Sequence, residues 1–165
     1  MMTHWRSIIL WLVALLVLVT VNVMIVQKER LIAQGTSIFL ELAPVDPRSL
    51  IQGDYMQLRY ALTDDVETTD FGKRGTVVIQ LDEQRIATFV RLHDPQQPLG
   101  ANEQLLMYHQ QDGTLYFGPD AFFFQEGHGL YYASATYAEL RVNETGESVL
   151  IGLRGAELEE LGPKE

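Results

Sequence analysis

Two acidic residues stand beside glycines at the ends of strand-like segments: Asp54, in Gly53-Asp54-Tyr55, and Glu126, in Glu126-Gly127. Brought together, two such carboxylates split their proton affinities, so that one serves as acid and the other as base in a hydrolytic reaction. The competing reading is structural. Asp54 falls on the same face of its strand as Met56, Leu58 and Tyr60, and a carboxylate at the mouth of an apolar face needs partners. The amides of Ser49 to Gln52 and the guanidinium of Arg48 are close in sequence and suit that task. Glu126 in turn is placed to accept from the amides that open a short helix. His93, His109 and His128 are spaced without the H-x-H or H-x-x-x-H pattern of a metal site, and the sequence contains no cysteine, so no metal or cofactor is expected. The glycines are scattered through turns and form no phosphate-cradling loop.

The elements that position these residues read as mainly β. From residue 36 onward, apolar and polar residues alternate with period two, as in half-buried strands. Ile38, Leu40 and Leu42 make one face; Met56, Leu58, Tyr60 and Leu62 make another. Thr76 to Leu81 and Arg85 to Leu92 flank Asp82-Glu83-Gln84 as a hairpin, and Leu105 to His109 and Thr114 to Phe117 flank a turn ending in Asp112-Gly113. Ala121 to Gln125 is expected as a strand that buries Phe122 and Phe124 and leaves Phe123 on the opposite face. Gly127 to Ala135 is expected as one short helix. Ala138, Leu140 and Val142 alternate against Tyr137, Glu139 and Arg141, and a turn at Asn143 to Gly146 leads into a last strand, Ser148 to Leu153. Eight short strands of this kind predict an antiparallel β-sandwich or a partly open β-barrel spanning residues 36–155. An acidic tail, 156–165, follows it.

Ahead of this domain, residues 1–27 read as a transmembrane anchor. Ser7 to Gln27 carries no charge and is apolar but for Ser7, Thr20, Asn22 and Gln27. About twenty helical residues, rising about 1.5 Å each, cover the roughly 30 Å of the hydrocarbon core. The run is longer than the apolar region of a signal peptide, and Val21, Asn22 and Val23 provide no small-residue cleavage site, so the anchor is expected to be uncleaved. Asn22, a polar amide within the bilayer, suggests contact with a neighbouring helix. Residues 28–35 read as a connector. Arg6 on one side against Lys28 and Arg30 on the other leaves the positive-inside count near a tie. Residues 31–165 hold 9 basic and 21 acidic residues, a balance that excludes a nucleic-acid binder.

Gly53, Asp54, Tyr55, Leu58 and Tyr60 spell G-D-Y-x-x-L-x-Y, and Phe124 with Glu126, Gly127 and Gly129 gives an aromatic strand followed by E-G-x-G. The sequence resembles the bacterial GDYXXLXY family of membrane-anchored proteins across nearly its whole length. That resemblance names a family and not a reaction. It implies an anchored accessory protein of the inner membrane, with its domain outside the cytoplasm, beside a multispanning membrane protein. A second, partial likeness is to membrane-anchored signal peptidases, whose active-site strand contains T/S-L-x-x-G-D, as in Ser49-Leu50-Ile51-Gln52-Gly53-Asp54. Eight residues before Gly53, where that family has its serine, stands Val45, and Lys73 as a base has no nucleophile to serve. The expectation is therefore a non-enzymatic, membrane-anchored accessory protein whose motif braces the fold, with a tethered hydrolase using Asp54 and Glu126 as the alternative.

Overall fold

The computed structural model describes residues 2–43, 55–63, 71–111 and 114–163. Gly53, Asp54, Arg48, Ser49 and Val45 lie outside the described residues, as do the acidic stretch Asp64 to Asp70 and the Asp112-Gly113 turn.

One helix, α1 (Met2–Gln34), precedes nine strands. It is long and apolar enough to cross a membrane, and none of its apolar window is buried. The large apolar side chains from Ile8 to Val26 are exposed all round, which suits lipid and would be costly in water. At about 1.5 Å per residue its 33 residues extend about 50 Å, well beyond a hydrocarbon core of about 30 Å. The expected connector at 28–35 is thus not a break: the charged residues Lys28, Glu29 and Arg30 continue the helix to Gln34. Charge ends the membrane-compatible stretch without ending the helix, because Lys, Glu and Arg are good helix formers.

The helix ends at Gly35, whose N–H donates to the carbonyl of Leu31 (2.9 Å). A Cβ at Gly35 would meet that carbonyl oxygen at 2.5 Å and the backbone of Val142 at 3.2 Å, so the chain can turn here only without a side chain. Leu31 is buried against the domain, Arg141 donates to the carbonyl of Gly35 (3.1 Å), and Lys28 pairs with Glu147 (2.5 Å). Both partners of that ion pair are about half exposed, so it contributes at most about 1 kcal/mol. Burial of Leu31, worth roughly 1.5–3 kcal/mol, is the larger fastening.

The strands are β1 (Thr36–Glu41), β2 (Tyr55–Gln57), β3 (Arg74–Leu81), β4 (Ala87–Leu92), β5 (Glu103–Gln111), β6 (Thr114–Tyr116), β7 (Ala121–Phe123), β8 (Tyr137–Val142) and β9 (Ser148–Arg154). All pairings between them are antiparallel: β1-β8-β9, β4-β3-β5-β6, and the ribbon β2-β7. Among the described residues one parallel bridge, Phe39 to Ile86, joins the first sheet to the second, and one of the antiparallel sheets forms a half-barrel. Ile38 and Leu40 from β1, Ile79 from β3, Leu106 from β5 and Leu140 from β8 are fully buried in one core. The hairpin turns close on side chains: Asp82 Oδ1 accepts from the amides of Gln84 and Ile86, and Asn143 Oδ1 from those of Thr145 and Glu147.

Alternation along β8 places Glu139 on the face away from that core, yet it is only 7% exposed. Its carboxylate accepts from Ser37 Oγ on β1 (2.6 Å) and from Arg154 Nε on β9 (2.8 Å), and Arg154 Nη2 closes a second contact to the same oxygen. Arg154 also reaches Glu160 (3.5 Å). The acidic tail turns back on the sheet: Arg154 and Glu160 form a β-bridge, and Leu161 N donates to the carbonyl of Leu153. Pairing with a cation in the sheet outweighs the tail's own repulsion.

Burial pushes the Glu139 carboxyl up, but the hydrogen bonds from Ser37 and Arg154, with the charges of Arg154 and Arg141, outweigh it and hold the group below its ordinary value. A carboxylate depressed in the folded state stabilises fully above its unfolded value of about 4.3, and that contribution is lost as pH falls through the folded value. In urea unfolding of the detergent-solubilised protein at pH 7, Glu139→Gln is expected to cost about 2–3 kcal/mol. The wild-type advantage should shrink below about pH 4. Equal stabilities of the two proteins at pH 7 would contradict this role.

Candidate functional site

Tyr55, Leu58 and Tyr60 are the described residues of the G-D-Y-x-x-L-x-Y segment. The chain runs extended as β2 and pairs with β7 in the register Tyr55–Phe123, Met56–Phe122 and Gln57–Ala121. This places the segment that follows Gly53-Asp54 directly beside the segment that precedes Glu126-Gly127. Past Gln57 the strand leaves the ribbon. Leu58 N donates to the carbonyl of Asp120, and Tyr60 forms a bridge with Leu42 at the end of β1. Met56, Leu58 and Tyr60 face inward, as the alternation predicts, with Leu58 and Tyr60 at 2% and 1% exposure. Tyr55 and Gln57 face solvent.

Tyr60 is one of the two largest fully buried side chains, with Phe117. Its hydroxyl donates to the carbonyl of Pro119 (2.8 Å) in the turn before β7. Burial, and then the nearby Asp120 carboxylate, push the phenol well above its ordinary range. It therefore stays a proton donor, and its chemistry is to hold the 118–120 turn against β2.

The second motif is built differently. Phe122, Phe124 and Tyr132 form an aromatic cluster, with Tyr132 edge-on to Phe122 at 4.9 Å and stacked on Phe124 at 5.5 Å. Between them the chain reverses: His128 N donates to the carbonyl of Gln125, and Gly127 sits at φ 82°. A positive φ at the third residue of a four-residue turn is the type II signature and favours glycine. No heavy atom lies within 4 Å of a Cβ built there, so the requirement is conformational and not one of space. The helix expected over Gly127 to Ala135 is shortened to a single 3-10 turn, Gly129–Tyr132. The two glycines favour the turn over a longer α-helix.

Glu126 is exposed and makes no hydrogen bond to the described residues, and the 3-10 turn has no side-chain cap. The expectation that Glu126 braces helix amides is thus not met. Of the Asp54–Glu126 pair only Glu126 is described, since Asp54 lies outside the described residues. Lys73 is exposed, and Ser49 is outside the described residues. His109 stacks on Tyr116 (5.1 Å) and His128 lies edge-on to Tyr131 (5.4 Å), half-buried where exposure was expected. Among the described residues, no group of three or more His, Cys, Asp or Glu is placed to hold a metal ion.

The partner of the motif that the sequence did not single out is Pro119, which supplies the acceptor for Tyr60, while Tyr132 completes the aromatic cluster. The one available signal was the Gly118-Pro119-Asp120 turn, which reads as punctuation alone. On the outer side, Phe123 is 74% exposed with its ring 5.7 Å from that of Tyr55. Leu130 and Tyr131 also face solvent, from the same turn that buries Tyr132 against Phe122 and Phe124.

Tyr60→Phe is expected to cost about 1–2 kcal/mol in urea unfolding, since it strands a carbonyl acceptor, and Leu58→Ala about 2–5 kcal/mol by leaving a cavity. Gly127→Ala should cost about 1–2 kcal/mol from the left-handed backbone alone. Glu126→Gln should stay within about 0.5 kcal/mol. A Glu126 variant as unstable as the Leu58 variant would reverse this assignment.

No curated protein and no solved structure matches the chain. The family model described as GDYXXLXY protein matches residues 17–153, from within the helix to the end of the last strand. The chain therefore belongs to the GDYXXLXY family.

Proposed function

We propose that this protein is a single-pass, membrane-anchored accessory protein of the bacterial cell envelope, without catalytic chemistry of its own, that works with a multispanning membrane protein. The observation that carries this reading is the direction of the motif. Leu58 and Tyr60, two of its five defining residues, are buried, and the Tyr60 hydroxyl is engaged with Pro119. A signature that faces the core serves the fold, and contact with anything else falls to other residues. The unbroken helix adds support. It passes from the apolar stretch into the domain through Leu31 and Gly35, which suits a domain held close to the bilayer surface. The exposed aromatics Tyr55 and Phe123 offer a surface of the kind that partners use. The inner membrane is the proposed location, with the domain outside the cytoplasm.

At native expression in mild detergent, the protein should co-purify with a multispanning membrane protein, and Tyr55→Ser with Phe123→Ser should reduce that recovery several-fold without loss of the anchored chain. Recovery of the chain free of any other membrane protein would overturn the proposal. A C-terminal alkaline phosphatase fusion should be active and a C-terminal green fluorescent protein fusion dark. Asp54→Asn should lower abundance. A fully abundant, folded Asp54→Asn protein that has lost its cellular role would favour the hydrolase instead.

A further inference from the structure

The helix presents one face that its own domain leaves free, and that face is complementary to itself. Successive helical residues lie about 100° apart. Leu31, nine residues beyond Asn22, is therefore on the opposite side of the helix, and it is Leu31 that packs into the domain. Lys28, which pairs with Glu147, lies toward that side as well. Val26, Glu29 and Ala33 follow Asn22 by four, seven and eleven residues and so share its face, and all are exposed.

Three features of this face call for a partner. Asn22 donates one amide N–H to the carbonyl of Leu18 (2.8 Å), which leaves its second N–H and its Oδ1 without a partner among the described residues. At the depth of the apolar stretch no water answers them. A shallow concavity lined by Val19, Asn22, Val23 and Val26 surrounds this amide. At the surface end of the helix, Glu29 and Arg30 lie on opposite flanks of this face with opposite charges, Arg30 at its border with the domain, and neither has an ion-pair partner among the described residues.

We infer that α1 pairs with α1 of a second copy of this chain, as parallel helices about a two-fold axis, through the face of Val19, Asn22, Val26 and Ala33. Such an interface is isologous. The free donor and acceptor of one Asn22 meet the acceptor and donor of the other. The two-fold sets the Glu29 flank of each helix against the Arg30 flank of its mate, giving two opposite-charge contacts. Because each domain packs on the Leu31 side, the two acidic domains lie outward of the helix pair, where their mutual repulsion is least. A lipid acyl chain fits the concavity but offers Asn22 no hydrogen bond.

This chain has no cysteine, so single introduced cysteines report the interface directly. In membranes treated with a lipid-soluble oxidant, Val19→Cys, Val26→Cys and Ala33→Cys are expected to give disulfide-linked dimers several-fold above Val17→Cys, Val21→Cys and Met24→Cys. On the Val26→Cys background, Asn22→Leu should cut the yield several-fold and Asn22→Gln should retain it. Glu29→Arg and Arg30→Glu should each lower it, and the double exchange should restore it, with protease resistance of the domain unchanged throughout. Equal yields from both faces, no dimer at all, adducts to a different protein, or no rescue by the double exchange would each overturn the inference. Of these outcomes, only adducts to a different protein bear on the multispanning partner, and they would support it while overturning the pairing of two copies.

Discussion

The Glu139 carboxylate is the interaction on which the architecture turns. It sits on β8, the middle strand of its sheet, and takes Ser37 from the strand that leaves the helix and Arg154 from the last strand. Arg154 then carries the tie to Glu160 in the tail, while Arg141, the next outward-facing residue of β8, donates to the carbonyl of Gly35 where the helix ends. Three parts of the chain, two of them more than a hundred residues from the first, thus meet around one buried charge. An ion pair of this kind is expensive to desolvate and is secured only when every lone pair has a donor. Here three donors and a neighbouring guanidinium supply that condition.

From that constraint the relation of anchor to domain follows. A helix that ended at the last apolar residue would leave the domain on a swivel. Instead the helix runs on through Lys28, Glu29 and Arg30, so the position of Leu31 fixes which side of the helix the domain takes. Glycine at 35 permits the turn into β1 against Val142, and Arg141 holds it. The exposed ion pair of Lys28 with Glu147 adds little energy but agrees with the same orientation. Rotation about the helix axis is thereby set by packing, which is why one helical face is left uncovered by the domain.

The sequence discloses the strands far better than the contacts between them. Period-two alternation found Met56, Leu58 and Tyr60 as one buried face, and it set Phe123 outward between Phe122 and Phe124. Turn chemistry found the hairpins, because Asp82 and Asn143 close them with their own side chains. Glu139 was not legible as a buried group. The pattern that reveals a strand assigns every second residue to the outer face, and whether that face meets water depends on a tail and a strand far along the chain. The length of α1 was misread for a related reason: hydropathy marks where lipid ends, whereas helix formation continues through any residue that tolerates it. For the motif, sequence supplied the residues but not Pro119, since its role exists only once β2 pairs with β7.

The motif itself illustrates why a signature need not be a site. Its tyrosine at position 60 is held protonated by burial and by Asp120, with its one donor engaged, so it can neither act as a base nor reach a ligand. Its leucine at position 58 contributes only volume. Tyr55 alone of the described G-D-Y-x-x-L-x-Y residues faces outward, where its ring meets that of Phe123. What the described surface offers is apolar and aromatic on the domain, and an amide with a pair of opposite charges on the helix. Groups of that kind recognise other surfaces by burial and by matching charge.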